Sequence, residues 1–322
     1  MGTLPFLLTP AYKDYLWGGD RLKSEYNKDT GISPLAESWE CSVHKDGESI
    51  VASGVFEGKT LKEVLQEHPE FIGTHPDKEL GFPLLIKLID AKEDLSIQVH
   101  PDDEYAREHE NGEYGKYEMW YVLEAEKDAR IIYGFSHDCT KEQVRKAVEN
   151  GTISRHLQRV KVRKGDIFFV PPGTVHAIGK GIVIAEIQES SDLTYRLYDY
   201  NRIDKNGNKR QLHIDKALDV LNLNKFIEPK RPLRLLKYKN ECANEFISRC
   251  KYFEVHRCLV NSEYKFSADE FSFRVLLCMD GQGKMSYEKK EFIISKGDCI
   301  FVPANSCDIT LSGSLECLDV RA

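Results

Sequence analysis

The sequence predicts a mainly β protein, two β-barrels with a few short helices. Three observations carry that expectation. Asp94–Asp103 and Lys116–Ala125 alternate polar and apolar residues with period two, the signature of strands with one face buried. Gly165–His176 is echoed position by position at Gly297–Asp308. The helix signals are short and capped, Thr60 with Glu63 and Thr140 with Gln143.

Taken in order, residues 1–20 read as an extended arm that turns at Trp17, Gly18 and Gly19. Leu35–His44 alternates loosely and reads as a strand in which Glu37, Trp39 and His44 are structural. Thr60–Gly73 reads as a helix with Leu61, Val64 and Leu65 on its apolar face. Leu84–Ile89 is a buried strand, and Lys87 in its middle must find a partner or a polar pocket, because lysine is seldom buried alone. In Asp94–Asp103, Leu95, Ile97 and Val99 share one face while Gln98 and His100 share the other, and Pro101 ends the ladder. Asp102–Glu110 is a polar, helical surface turn.

Lys116–Ala125 is an aromatic strand with Lys116, Glu118 and Trp120 on one face. Thr140–Gly151 is a second helix, with Gly151 at its end. Gly165–Ala177 has the spacing G-x5-P-x-G-x2-H: a turn, the strand Ile167–Val170, then a tight loop that aims His176 back at the sheet. Ile182–Ile187 is a strand carrying Glu186, and Asp215–Leu223 a short helix. Asn201–Asn208 is a polar turn, and the Pro-rich, basic run 226–240 holds the domain boundary, dividing the chain into 1–235 and 236–322.

Gln98, His100, Glu118 and His176 offer one amide oxygen, two imidazoles and one carboxylate from separate strands, a donor set suited to Zn²⁺ or another borderline divalent ion. In the C-terminal echo Asn305 replaces Gly173, Asp308 replaces His176, and no Q-x-H precedes it. The second barrel therefore reads as a copy without a metal site.

Composition narrows the function classes. The chain has 322 residues, 41% hydrophobic and 30% charged, and a net charge of −7 with no basic block, which argues against nucleic acid as a partner. Nine scattered cysteines with no C-x-x-C pair suit a reducing cytoplasm. The N-terminus has neither a signal-peptide pattern nor a membrane span, and Phe6 occupies the position where a myristoylation signal wants Ser or Thr.

The G-x5-P-x-G-x2-H segment resembles the second motif of the cupins, which are jelly-roll β-barrels. The fuller set, SIQVHPDD, YEMWY preceded by Lys116, PPGTVHA and SSDLTYRLYD, resembles the short bacterial type I mannose-6-phosphate isomerases, from Trp17 to Leu221 and more faintly beyond. That resemblance implies two cupin-type jelly-roll β-barrels with a few short helices: a catalytic barrel in 1–235 and a degenerate one in 236–322. It implies one Zn²⁺ per chain, held by Gln98, His100, Glu118 and His176, and a catalytic Arg196. Lys87, Lys116 and Glu186 fall where the family places pocket residues. Lys116, Glu186 and a metal-bound water are the proton carriers to choose between, while Lys87 and Arg202 are read as phosphate contacts.

The implied activity is aldose–ketose isomerisation of mannose 6-phosphate and fructose 6-phosphate through a cis-enediol. The partner is a small sugar phosphate, with no nucleic acid and no membrane. A non-catalytic sugar-phosphate-binding cupin and an isomerase of an unphosphorylated aldose stay open, as do the oligomeric state and the source of the proton. The large helical insert of longer relatives is absent, Thr140–Gly151 being all there is room for.

Overall fold

The computed structural model describes residues 3–76, 81–203, 207–227, 236–239 and 241–322. The segment 228–235, part of the expected boundary, and residues 204–206 of the expected polar turn lie outside the described residues. Among the described residues three antiparallel sheets make up the fold. A six-stranded sheet runs in the order Ile167–Val170, Glu118–Ala125, Ile182–Glu189, Leu84–Ala91, Glu37–Cys41, Ala11–Lys13. A five-stranded sheet runs Tyr195–Tyr198, Ile97–Val99, His176–Ala177, Arg130–Phe135, Leu157–Lys161. A ten-stranded sheet gathers the C-terminal strands together with Phe6–Thr9 and Ile50–Val51. The first strand thus pairs with Cys299–Val302 across the expected boundary, Phe6 opposite Phe301.

The capping boxes form as the sequence requires. Thr60 Oγ1 accepts from Glu63 N while Glu63 Oε2 accepts from Thr60 N, and Thr140 and Gln143 do the same. The first helix, however, spans Leu61–Glu67 and not the expected run to Gly73. Pro69 excludes helical backbone at His68, and the chain resumes as a 3₁₀ turn, Pro69–Ile72. Asp102 caps the helix Asp103–His109 by accepting from Tyr105 N at 2.9 Å. The other helices are Arg21–Tyr26, Lys141–Glu149 and Ile214–Val220. No helix among the described residues is long and apolar enough to cross a membrane.

The six-stranded sheet is buried on both faces, and strand alternation divides its side chains between two environments. Leu84, Ile86, Leu88, Met119, Tyr121, Leu123, Val183, Ala185 and Ile187 pack with Val255, Val275, Leu277, Phe301, Leu318 and Val320 of the ten-stranded sheet and with Phe253 and Phe273, which immediately precede two of its strands. From the other face Ile89, Trp120, Val122, Ile182 and Ile184 pack with Leu95, Ile131, Tyr133 and Ile178 of the five-stranded sheet or its connections. Lys87, Glu118 and Glu186 lie in the alternation that faces this second layer.

The echo is structural as well as sequential. Ile167–Val170 and Cys299–Val302 are both strands, at aligned positions. Phe168 and Val170 enter the interior layer of the N-terminal sheets, and their counterparts Ile300 and Val302 enter the C-terminal one. Gly173 has φ of +80° and its replacement Asn305 +56°, so the loop keeps its left-handed residue; asparagine tolerates that region better than most side chains. The C-terminal interior is apolar, built from residues such as Leu276, Cys278, Met285, Ile309 and Leu315. Asp308 is exposed.

Phe301 is fully buried and stacks on Phe6 at 5.2 Å and Phe273 at 5.4 Å between centroids. Phe301→Ala is expected to cost about 3–5 kcal/mol in denaturant unfolding, the usual range for an aromatic truncated in a packed core. A loss below about 1 kcal/mol would mean that the inter-sheet layer is not a packed core.

Candidate active site

Two rows of side chains, one from each N-terminal sheet, enclose a polar cavity. On the five-stranded sheet Arg196, Gln98 and His176 stand in register on three neighbouring strands. On the six-stranded sheet Trp120, Glu186, Lys87 and Trp39 stand in register on four. The cavity is lined by these residues other than Trp39, together with Tyr15, Glu37, Lys116, Asp192, Thr194 and Arg210 among others.

At its base His100, Glu118 and His176 converge, with ligating atoms within 4.8 Å of one another. His100 Nε2 lies 3.1 Å from Glu118 Oε1, and His176 Nε2 lies 3.6 Å from Oε2. The local backbone fixes both imidazoles. Each Nδ1 faces a carbonyl, which can only accept: His100 Nδ1 donates to Leu193 O at 2.6 Å and His176 Nδ1 to Thr174 O at 2.8 Å. Both Nε2 lone pairs therefore point at the carboxylate. Burial and the nearby cation Lys116 push the His100 pKa down, and burial pushes that of His176 down to about 3. Both rings are neutral at pH 7 and their lone pairs are available.

Burial opposes ionisation of Glu118, but the Lys116 charge outweighs it and holds the carboxyl well below the usual range. Lys116 Nζ is 2.7 Å from Glu118 Oε1. Even so, His100 Nε2 and both Glu118 oxygens are buried without a hydrogen bond of acceptable geometry. His100 Nε2 and Glu118 Oε2, buried acceptors with no hydrogen bond, face one point beside His176 Nε2, an arrangement that costs free energy unless a cation joins them, so the residues present fit a divalent ion. The ring nitrogens bonded to backbone carbonyls are the outer-shell supports such ligands use.

Gln98 flanks the group but turns its amide nitrogen, not its oxygen, toward His176 Nε2, at 3.4 Å, while Ser96 Oγ donates to Gln98 Oε1. To act as a ligand Gln98 would have to rotate its amide by a half turn. Lys87, Lys116, Glu186 and Arg196 all line the cavity. Arg202 does not; it donates to Asp94 O, pairs with Asp199 and lies over the Tyr200 ring.

Lys87 is buried and surrounded by carboxylates: Asp192 at 3.3 Å, Glu186 at 3.7 Å and Glu37 at 3.8 Å. Burial disfavours its charge, but Glu37, Asp192 and Glu186 together raise its pKa above the ordinary value. Glu186 accepts from Trp120 Nε1 at 2.9 Å, and burial followed by the Glu118 charge pushes its pKa up to about 7. Arg196 is partly buried with an unpartnered Nε. The sequence reading missed Arg210, which lines the same cavity while holding Asp199 with two nitrogens. It also gave Glu37 a structural role and Asp192 none, although both face the cavity. No spacing signal marks these residues; only the folded chain brings them to Lys87.

This fold and site define a cupin-type β protein whose interior is fit to hold a metal ion. Comparison with known proteins makes the assignment particular. Residues 6–128 match the catalytic domain of type I phosphomannose isomerase, and residues 243–321 match the mannose-6-phosphate isomerase cupin domain. The chain is 37% identical to the mannose-6-phosphate isomerase ManA of Bacillus subtilis (strain 168) over 99% of both chains. It is 37% identical to the mannose-6-phosphate isomerase of Streptococcus mutans, over 97% of this chain and 96% of that one. The solved mannose 6-phosphate isomerase of Bacillus subtilis superposes with a TM-score of 0.93 at 36% identity over 99% of both chains. The chain belongs to the type I phosphomannose isomerase family.

Beside the site, Glu189 accepts from Tyr117 N at 2.7 Å, and burial pushes its pKa up to about 8. Its ordinary value is 4.5, so between these limits the folded chain binds more protons than the unfolded one. Its stabilising contribution is complete below about pH 4.5 and is lost as pH rises through about 8. The melting temperature of wild type should therefore fall relative to Glu189→Gln as pH is raised from about 5 to about 9. Parallel curves would show that Glu189 is ionised in the fold.

Proposed function

We propose that this protein is a zinc-dependent aldose–ketose isomerase that interconverts mannose 6-phosphate and fructose 6-phosphate through a cis-enediol. The observation that carries this is the convergence of His100, Glu118 and His176, with His100 Nε2 and both Glu118 oxygens buried without a hydrogen bond, against a cavity lined by His176, Arg196, Lys116 and Glu186. When bound there, Zn²⁺ supplies Lewis-acid polarisation of sugar oxygens. Gln98 stands beside the ligands, within reach of the same point after an amide turn.

The reaction moves a proton between C2 and C1 and another between the two oxygens. Glu186 is the residue suited to carry the carbon-bound proton: it is a buried carboxyl lining the cavity, and burial raises its proton affinity above that of an ordinary carboxylate. Lys116 and then Lys87, the latter in register with Glu186, keep the pKa of that carboxyl from rising further. Arg196 directs its unpartnered guanidinium N–H at sugar oxygens, where its fixed fork stabilises negative charge as it develops. Lys116, at 2.7 Å from Glu118, orients the ligand carboxylate.

The phosphate requires a cationic mouth. Lys87 is committed to three carboxylates and Arg202 lies outside the cavity. Arg196 lines the cavity with an unpartnered Nε and is the cation suited to face an anion there, with Arg210, paired to Asp199, beside it.

The decisive assay compares turnover of mannose 6-phosphate with that of free mannose on protein of measured zinc content. Turnover of the phosphorylated sugar is expected to dominate, to vanish on chelation and to return with zinc. Full activity in demonstrably metal-free protein would sink the mechanism. Asp308→Ala should leave zinc bound at His100, Glu118 and His176 and turnover near wild type, whereas His176→Ala should lose both.

Arg196→Lys keeps the charge but not the fork. It should lower kcat by roughly 10²-fold or more, the scale of one preorganised donor, at unchanged occupancy of the zinc site. An unchanged kcat at matched zinc would remove Arg196 from the reaction.

A further inference from the structure

His137, Cys139 and His156 place two imidazoles and a thiol around one point, outside the cavity described above. His137 and Cys139 belong to the connection between the Arg130–Phe135 strand and the Lys141–Glu149 helix, and His156 follows the 3₁₀ turn Ile153–Arg155. His137 Nε2 lies 3.1 Å from His156 Nδ1, and Cys139 Sγ lies 3.8 Å from the same nitrogen. On a tetrahedral zinc with bonds of about 2.0–2.1 Å to nitrogen and about 2.3 Å to sulfur, ligand atoms stand roughly 3.3–3.6 Å apart. The observed separations lie on either side of that range.

Neighbouring bonds prepare the donors. Ser136 N and Oγ both donate to His156 O, at 2.9 and 3.0 Å. The only hydroxyl proton of Ser136 is thereby used, so Oγ accepts from His137 Nδ1, 3.0 Å away. His137 is left with its lone pair on Nε2, the nitrogen that faces His156. Cys139 N donates to Leu223 O at 2.9 Å, and Asp138 Oδ1 accepts from Lys225 N at 2.6 Å, so the backbone on which Cys139 sits is anchored as well.

We propose that His137, Cys139 and His156 form a second divalent-metal site, of zinc-class preference, distinct from the cavity site and built to tie the strand–helix connection to the turn at His156. Binding forms one metal–sulfur and two metal–nitrogen bonds; the Cys139 thiol proton passes to solvent, and His156 carries its ring proton on Nε2. The fourth position opens toward water, since His137 is exposed. The site carries no catalytic group and shares no residue with the cavity.

Cobalt separates the two sites, because only this one contains sulfur. Full-length protein titrated with Co²⁺ is expected to develop a near-ultraviolet thiolate-to-cobalt charge-transfer band that saturates at about one equivalent for this site. Zinc should compete the band away and raise the melting temperature. In Cys139→Ser, and in Cys139→Ala should the first variant fold poorly, the band should vanish, zinc content should fall by about one per chain, and kcat should stay at the wild-type value. A wild-type protein without the band, or a band that survives loss of Cys139, would overturn the proposal.

Discussion

Burial of the six-stranded sheet on both faces is the constraint on which the site depends. One face is committed to the hydrophobic layer against the ten-stranded sheet. The other must carry whatever charge the sequence places at the remaining alternate positions, with little water to solvate it. Lys87 is tolerable there only because Glu37, Glu186 and Asp192 surround it. Glu118 is tolerable only because Lys116 Nζ lies 2.7 Å from its Oε1. The two groups are coupled through Glu186, which feels Glu118 as well as both lysines. Proton affinity at one end of the cavity thus depends on charge at the other, and a cation at Glu118 would be felt at Glu186.

The C-terminal sheet makes the same backbone argument without the charges. Its echo strand pairs, alternates and turns like its N-terminal counterpart, down to the left-handed residue in the loop. What differs is the interior: cysteine, methionine and aliphatic side chains fill the space that the N-terminal unit leaves polar. An apolar interior contributes packing and asks for no counter-ions. Its outer face, with Phe301 against Phe6 and Phe273, braces the sheet that carries the site.

Period-two alternation and turn chemistry are local, so the strands Ile97–Val99, Glu118–Ala125 and Ile167–Val170, the capping boxes and the echo were legible in the sequence. The candidate ligands stood out in the sequence because Glu118 sits among apolar strand residues, His100 follows an alternating strand, and the G-x5-P-x-G-x2-H spacing ends on His176. Where a local rule competed with another, as at His68 before Pro69, the helix ended sooner than its apolar spacing implied.

The tertiary structure decided what surrounds those ligands. Lys87 and Asp192 are 105 residues apart, and nothing near either announces the pair. Arg210 lines the cavity and Arg202 does not, although both pair with Asp199, because Arg202 also donates to the Asp94 carbonyl. His137, Cys139 and His156 lack the compact spacing of a metal motif and meet only because Ser136 pins one segment to the other. Sequence determines which side of its own strand a residue takes, since that follows from backbone geometry. Which distant charge stands opposite is set by strand order and register, and these exist only once the sheets have packed.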